Sequence, residues 1–205
     1  MNRTIIRLLA VSTILGTLGI AMVWAAADPV SRRDAARLQA KIDKINRNAV
    51  GGGRRLPLRT AVSEAELNAY LRYELDEKLP TGVKDPWVSI LGDGRLSGRA
   101  AVDLSEVGKG RKASGGMLDP YSYLTGSLPV VANGVLKAKN GVASFALESA
   151  SISGVPVPVW MLQDIVTYYS RSADSPQGVS IDKPFVLPAA IREIQIDRGQ
   201  AVVIQ

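Results

Sequence analysis

The spacing of apolar residues changes along the chain, and these changes predict alternating helices and strands. Around residues 63–79 and 161–169, apolar residues recur every three or four positions, which is typical of amphipathic helices. Residues 95–104 instead alternate between apolar and polar, as in a half-buried strand. The order of these segments predicts an α+β fold. In it, a curved antiparallel β-sheet meander carries two amphipathic helices packed on one face, preceded by an N-terminal membrane-targeting helix.

Turn residues predict three hairpins in this meander. Gly92-Asp93-Gly94 joins a short strand to the alternating segment, and Arg198-Gly199 joins the last two strands. Asn140-Gly141, the strongest hairpin signal in a short sequence, joins two long arms at residues 127–139 and 142–153. Both arms are rich in Ala, Ser and Gly, and small side chains leave room above a sheet.

Two helices are expected to lie on this sheet. Ser63 and Glu66 have the spacing of a capping box, and the helix they begin is expected to reach Leu79, before Pro80. The second helix follows residues 155–158, where two prolines require extended backbone. The candidate walls of an apolar groove are Leu67, Tyr70, Leu71, Leu75, Phe145, Leu147, Trp160, Leu162, Ile165, Val166 and Tyr169. The alternative is that these side chains pack on one another and leave no space.

Residues 1–27 have the features of an export signal. Arg3 and Arg7 precede an uncharged stretch from Leu8 to Ala27, which ends in three alanines like those of a cleavage site. The segment is therefore expected to be a signal peptide or, if retained, an N-terminal membrane anchor. The expected division of the chain is residues 1–27, a basic helical linker at 28–53 that ends in a glycine hinge, and an α+β domain at 54–205.

The linker is strongly basic, with nine Lys or Arg residues between positions 32 and 59. One interpretation is a helix that lies on anionic lipid head groups. The other is a solvated spacer. The candidate membrane-surface residues are Arg32, Arg33, Arg37, Lys41 and Lys44. Because basic residues after an apolar segment favour retention on the cytoplasmic side, the topology stays open, although the cleavage site favours export.

Composition excludes several classes of function. The 205 residues contain no cysteine and no histidine, which removes thiol nucleophiles, imidazole catalysis, disulfides and the usual structural zinc sites. The aromatic content of 5% is low for a protein that stacks nucleic-acid bases, even with a net charge of +6. No G-x-S-x-G motif occurs. We therefore expect no enzyme activity, cofactor, metal or nucleic-acid partner.

Three patterns resemble one family. They are V-S-E-A-E-L-N-A-Y-L at residues 62–71, G-V-P-V-P before the second helix, and L-P-x-x-I-x-x-I-x-I-D-x-G-x-x-V-V at residues 187–203. Together they resemble the LmeA-like bacterial phospholipid-binding proteins and, more distantly, the tubular lipid-binding (TULIP) domains. The resemblance covers residues 60–205 and implies a long helix on a curved sheet, with lipid in the groove between them.

The expected function is that of an exported, membrane-proximal protein that binds a lipid or acyl chain in an apolar groove. Its expected location is the periplasm or the outer face of the inner membrane, and its expected partners are a lipid or a membrane surface. The alternative is a non-catalytic assembly or scaffold protein of the cell envelope, which would bind other envelope proteins and no ligand.

Overall fold

The computed structural model describes residues 30–50, 57–105, 126–171, 176–178, 180–181 and 183–205. Residues 1–27 and the glycine hinge at 51–53, on which two of the expectations rest, lie outside this part of the chain. Within it, three helices and nine strands form an α+β structure with an open antiparallel sheet. The helices are α1 (Arg32–Val50), α2 (Glu64–Tyr73) and α3 (Val159–Tyr169). The strands are β1 (Arg59–Ser63), β2 (Val83–Gly92), β3 (Arg95–Asp103), β4 (Ser127–Lys139), β5 (Val142–Ile152), β6 (Val155–Val157), β7 (Phe185–Val186), β8 (Glu193–Asp197) and β9 (Gln200–Ile204).

The three predicted hairpins are confirmed as β2–β3, β4–β5 and β8–β9. Along the sheet the strand order is β1-β9-β8-β4-β3-β2, and β5 pairs with the other side of β4 and with the short strands β6 and β7. Strand β4 changes partner along its length. Residues 127–135 pair with β3, and Ala138 pairs with Ile194 of β8.

The β2–β3 turn lies where β4 passes from β3 to β8. The Gly94 N–H donates to the Ile196 carbonyl at 3.4 Å, and the Gly94 carbonyl accepts from the Leu136 N–H at 2.8 Å. The Gly199 N–H, in the turn between β8 and β9, donates to the carbonyl of Ile90 at 2.8 Å. These bonds join the tips of two hairpins that are remote in sequence, so the two halves of the sheet are held together there.

The register of the sheet shifts at three places, one of them between Ile90 and Gly92 of β2. On β2, Asp85 and Pro86 stand opposite the single residue Ala100 of β3. On β5 the register shifts opposite Asn133 and Gly134 of β4. A Cβ atom on Gly134 would lie 2.5 Å from the carbonyl oxygen of Ala146, so only glycine allows the strands to approach this closely.

Helix α2 begins as the sequence predicts and ends earlier. The capping box is present: Ser63 Oγ accepts from the Glu66 N–H, and Glu66 Oε2 accepts from the Ser63 N–H. At the other end the N–H groups of Glu74 and Leu75 both donate to the carbonyl of Tyr70, which ends the regular helical pattern. A 3₁₀ turn follows at Asp76–Lys78, so Leu75 lies beyond the helix.

Helix α2 protects the free edge of β2. Asn68, which is only 1% exposed, accepts from the Val88 N–H and donates to the Val88 carbonyl, both at 2.7 Å. Glu64 Oε2 accepts from the Ile90 N–H at 2.7 Å. An edge strand with unpaired N–H and C=O groups is a template for unwanted pairing, and these two side chains occupy those groups.

Helix α1 packs against α2 and β1. Lys41 Nζ lies 2.7 Å from both carboxylate oxygens of Glu66 and also donates to the carbonyl of Ala61. Tyr70 donates to Gln39 at 3.1 Å. The basic helix expected as a linker is therefore bonded to the first helix of the sheet domain.

Replacing Asn68 with leucine should lower the free energy of unfolding. The change preserves most of the side-chain volume but leaves the N–H and carbonyl of Val88 without these partners. We expect about 1–3 kcal/mol for each group left unsatisfied. Urea unfolding followed by circular dichroism measures it. Asn46→Leu, on the exposed face of α1, is the control and should change stability by less than about 0.5 kcal/mol. Equal effects of the two substitutions would contradict this role of Asn68.

Acid should weaken the structure through Glu66. Burial raises the pKa of this carboxyl group, but hydrogen bonds from Lys41 and Ser63 outweigh burial and hold the pKa below its usual value of 4.5. The unfolded state binds the proton of Glu66 more readily than the folded state does. The stabilisation that Glu66 contributes is therefore fully present above pH 4.5 and is lost as the pH falls through the folded-state pKa.

The substitution Lys41→Met tests this linkage. It removes the main hydrogen-bond donor, so burial should dominate and the loss of stability below pH 4.5 should become smaller than in the native chain. At neutral pH the buried, uncompensated carboxylate should cost about 1–3 kcal/mol. Urea unfolding at pH 7 and pH 4 measures both effects. Lys44→Met, at an exposed position of the same helix, is the control. An unchanged pH profile in the Lys41 variant would contradict the assignment.

Candidate functional site

Helix α3 begins where the extended segment ends. Pro158 is its N-cap residue, with φ −60° and ψ 144°, so the chain enters the helix directly from β6. Met161, Leu162 and Ile165 are the buried residues of α3, as their helical spacing predicts. The buried stripe turns α3 toward the sheet.

The face of the sheet beneath α3 is called the inner face here. Its buried residues alternate along three strands and include Val102, Val130 and Ile152, which form one hydrophobic cluster with the buried stripe of α3. The C-terminal end of α3 is fixed as well, because the Tyr169 hydroxyl donates to the carbonyl of Asp103. A Cβ atom on Gly82 would lie 3.1 Å from that hydroxyl, and Gly82 has φ +93°, so both space and backbone favour glycine there.

An apolar cavity of about 270 Å³ lies between α3 and the inner face. Small residues of the sheet leave this space. Gly98 is the clearest case, because a Cβ atom built there would meet nothing within 4 Å. The residues that line the cavity are Val83, Gly98, Arg99, Ala100, Val102, Val130, Ala132, Leu162, Ile165, Val166 and Tyr169.

A second space, the edge cleft, lies on the β5 side of α3 and measures about 550 Å³. Phe145, Leu147 and Trp160 line it, together with Ile181 and part of α3. Trp160 is 51% exposed, which is unusual for a large aromatic side chain.

The predicted groove residues therefore fall into three groups. One group lines the apolar cavity: Leu162, Ile165, Val166 and Tyr169. A second group lines the edge cleft: Phe145, Leu147 and Trp160. Leu67, Tyr70, Leu71 and Leu75 are half-buried, and none of them is among the described residues that line either space. Their helix, α2, packs against α1, β1 and β2, whereas α3 packs against β5.

The five candidate basic residues differ in the contacts they make. Lys41 is held in the ion pair with Glu66. Arg37 forms a salt bridge with Asp34 at 2.8 Å, and Arg32 lies over the ring of Tyr73 with 4.8 Å to its centroid. Arg32, Arg33, Arg37 and Lys44 are all exposed, so their side chains face solvent even where Arg32 and Arg37 also make these contacts.

A third space, the outer cleft, was not predicted from the sequence. It measures about 540 Å³ and contains Arg72, Asp76, Asp85, Trp87 and Arg99. Trp87 and Arg99 are cross-strand partners, and the guanidinium carbon of Arg99 lies 5.4 Å from the Trp87 ring centroid. The Asp-Pro pair inside an otherwise strand-like segment was the signal that this strand is irregular.

Neither metal nor nucleophilic chemistry gains support from the described residues. They contain no group of three Asp or Glu side chains placed to hold a metal ion. Ser180 and Lys183 have the S-x-x-K spacing of some serine enzymes, but Lys183 is exposed on the surface and no hydrogen bond between the two side chains is seen among the described residues.

No known family model matches the chain, and no curated protein sequence matches it. The resemblance to lipid-binding proteins thus stays a prediction from three short patterns. Among the helices of the described residues, none is long and apolar enough to cross a bilayer.

The anchor at the end of α3 can be tested with Tyr169→Phe. The substitution removes the donor to the Asp103 carbonyl and should lower the free energy of unfolding by about 0.5–1.5 kcal/mol. Tyr168→Phe is the matched control, because Tyr168 is also half-buried and its ring packs edge-on against that of Tyr169. Thermal unfolding of both variants measures the difference. A larger effect at Tyr168 would contradict the anchoring role.

Proposed function

We propose that this protein binds an acyl chain in the apolar cavity between α3 and the inner face, and that it is not an enzyme. The observation that supports this most directly is the chemistry of the cavity walls. Apart from Arg99 and the hydroxyl of Tyr169, every wall residue is apolar. Such a site gains affinity by removing apolar area from water, about 0.8 kcal/mol for each buried CH₂ group, and needs no specific polar contact.

The size of the cavity limits which ligands can fit. A volume of about 270 Å³ lies at the lower end of ligand pockets, which usually measure about 300–1,000 Å³. It suits a single acyl chain or part of one. The groove we propose has different walls from the one that the family resemblance implies. A curved sheet and α3 form it, and the α2 residues do not contribute to its wall.

We also propose that the protein works next to a membrane after export. Support comes from the export-like segment at residues 1–27 and from the exposed basic residues of α1. An anchor or a basic helix close to lipid head groups would hold the cavity within reach of its ligand.

One observation favours a second function, that of an envelope scaffold without a ligand. Several large apolar side chains are exposed around the edge cleft and β7, among them Trp160 and Phe185 at 51% and Val186 at 80%. Exposed apolar groups of this kind also mark protein interfaces. The two functions differ in whether a lipid accompanies the purified protein.

The substitution Gly98→Val tests acyl-chain binding. It places two methyl groups in the apolar cavity, where a Cβ atom would meet no neighbour, and valine suits a strand. Mass spectrometry of lipids extracted from the full chain, expressed with its export segment, should find acyl lipids with the native protein. We expect at least about tenfold less lipid with Gly98→Val, at equal or higher thermal stability.

Ser97→Val is the matched control, since it adds methyl groups one residue earlier and therefore on the opposite face of β3. It should retain the native amount of lipid. Lipid retained equally by both variants would place the ligand elsewhere. Absence of lipid from the native protein would favour the scaffold function.

A further inference from the structure

Strand β5 is flanked on its outer edge by two short strands that leave a gap between them. Residues of β5 that pair with β6 or β7 also pair with β4, so β6 and β7 both lie on the edge of β5 that faces away from β4. Strand β6 pairs with residues 150–152 and β7 with residues 142–143, both antiparallel. Residues 144–149 of β5, called the strand gap here, therefore have no strand beside them on this edge in the described part of the chain.

The free backbone groups of the strand gap belong to Phe145 and Leu147. In an antiparallel pair, the N–H and C=O groups of successive residues point alternately to the two sides of the strand. Val142 closes the two-residue turn of the β4–β5 hairpin, so its groups point to β4, as do those of Ser144 and Ala146. The groups of Phe145 and Leu147 then point away from β4. Among the described residues, no hydrogen bond to these outward groups is found.

The edge cleft opens beside the strand gap. Four consecutive residues of β5, from Ser144 to Leu147, line it. Consecutive side chains of a strand point to opposite faces of the sheet, so one space touches all four only if it lies alongside the edge. The other walls are Ile181 and the first turns of α3, including the half-exposed Trp160. About 550 Å³ is therefore open next to the free backbone groups.

Exposed apolar side chains are concentrated around this edge. Among the described residues, eight large apolar side chains are exposed, and six of them lie on β5, β6, β7 or the start of α3. These six are Val142, Val155, Val159, Trp160, Phe185 and Val186. An apolar patch beside unpaired backbone groups is typical of a surface that another chain covers.

At the two ends of the sheet, by contrast, side chains occupy backbone groups of the edge strands. On β2, Asn68 bonds to both backbone groups of Val88, and Glu64 accepts from the next outward N–H. On β1, Lys41 donates to the carbonyl of Ala61. Such bonds prevent pairing with a further strand. The strand gap has no bond of this kind among the described residues, so it is the edge at which strand addition is possible.

The geometry of the strand gap favours a single extended segment as its occupant. Strands β6 and β7 run in the same direction, so a segment that continues their line would pair antiparallel with β5 over about 20 Å. A second copy cannot pair through its own β5, because each strand gap is set back behind its flanking strands by one strand spacing, about 4.8 Å. Glu148 is the one charged residue in the sequence of the gap, and it attracts a basic residue at the N-terminal end of such a segment.

We propose that the strand gap and the edge cleft together bind an extended segment of a partner protein, which adds a strand between β6 and β7. The backbone of the segment bonds to Phe145 and Leu147, and its apolar side chains at alternate positions enter the edge cleft beside Trp160. The edge cleft and the apolar cavity share no lining residue among those described, so this inference is independent of acyl-chain binding and its failure leaves that function intact.

Amide hydrogen exchange of the full chain, followed residue by residue by NMR, first tests whether the gap is open. In the free protein the amides of Phe145 and Leu147 should exchange at least about 100-fold faster than those of Ser144 and Ala146, which bond to β4. Protection of all four amides at every protein concentration would show that the chain fills the gap itself. Protection that appears only as the protein concentration rises would show that a second copy fills it. Either result would overturn the proposal.

The probe is a synthetic peptide in which valine and threonine alternate, with a lysine at its N-terminus to lie beside Glu148. At about 1 mM it should slow the exchange of the Phe145 and Leu147 amides at least about tenfold. Methyl groups on the valine nitrogens should weaken binding at least about tenfold, because those N–H groups face β5 when the valine side chains enter the edge cleft. Methyl groups on the threonine nitrogens, which face away, are the matched control. Equal effects of the two methylated peptides, or no protection by the unmodified one, would overturn the added strand.

Leu147→Pro tests the same bond from the side of the protein. It removes an N–H that faces the gap and not β4, which proline tolerates at a strand edge. Leu147→Ala also loses the side chain but keeps the N–H, so it is the matched control and should bind the peptide at least about fivefold more tightly than Leu147→Pro. Thermal unfolding checks that both variants fold. Equal affinity of the two variants would contradict backbone pairing at this residue. A fatty acid that protects the Phe145 and Leu147 amides as well as the peptide does would make the edge cleft an acyl site and overturn the proposal.

Discussion

The pair of hydrogen bonds between Asn68 and the backbone of Val88 is the constraint on which much of the arrangement depends. Strand β2 is the edge of the sheet, and its outward N–H and C=O groups need partners. Asn68 supplies both partners at one residue while buried in the helix, which fixes α2 along this edge. Helix α1 then depends on α2 for its own position, through the ion pair of Lys41 with Glu66.

The same constraint positions the charged groups of the outer cleft. Arg72 follows Asn68 by one helical turn, so bonding Asn68 to β2 brings Arg72 over the outer face of the sheet. Trp87 is the neighbour of Val88 in β2, and the bulge at Asp85 and Pro86 precedes it. One buried amide thus holds together a helix, an irregular strand and an arginine that would otherwise be free to move independently.

On the other face, the difference in side-chain size between α3 and the sheet creates space. Leu162 and Ile165 are large and reach the sheet at Val102 and Val130. Beside these contacts, Gly98 and its small neighbours do not fill the distance that the large residues set. Protein interiors are normally close-packed. A gap lined by apolar atoms therefore either lowers stability through lost van der Waals contacts or serves as a ligand site.

How much of this could be predicted depends on the range of the interactions. Asn140-Gly141 and the capping box at Ser63 act over a few residues, and the β4–β5 hairpin and the start of α2 follow from them directly. The end of α2 was not predictable in the same way. Its apolar pattern continues to Leu79, yet the backbone leaves the helix at Tyr73.

In the candidate site, too, some features follow from local spacing and others from long-range packing. The helical spacing of Leu162, Ile165 and Val166 identified the residues of α3 that face the apolar cavity. It could not tell that Leu67 and Leu71 lie away from that cavity, because a one-sided apolar stripe does not say what covers it. The outer cleft was missed because Arg72 and Arg99, which both line it, are far apart in sequence, and only the packing of α2 on β2 places them beside the same space.

The sequence by itself determined three things: the kinds of site that the absence of Cys and His removes, the hairpins, and the buried stripe of α3. These follow from residue types and from contacts between residues a few positions apart. The tertiary structure alone decided that α2 lies along the edge strand β2, that α1 packs against α2, and that a cleft forms beside the bulge of β2. These outcomes depend on which unsatisfied backbone groups and apolar surfaces come together between residues far apart in the chain. The local spacing of apolar residues does not determine those long-range contacts.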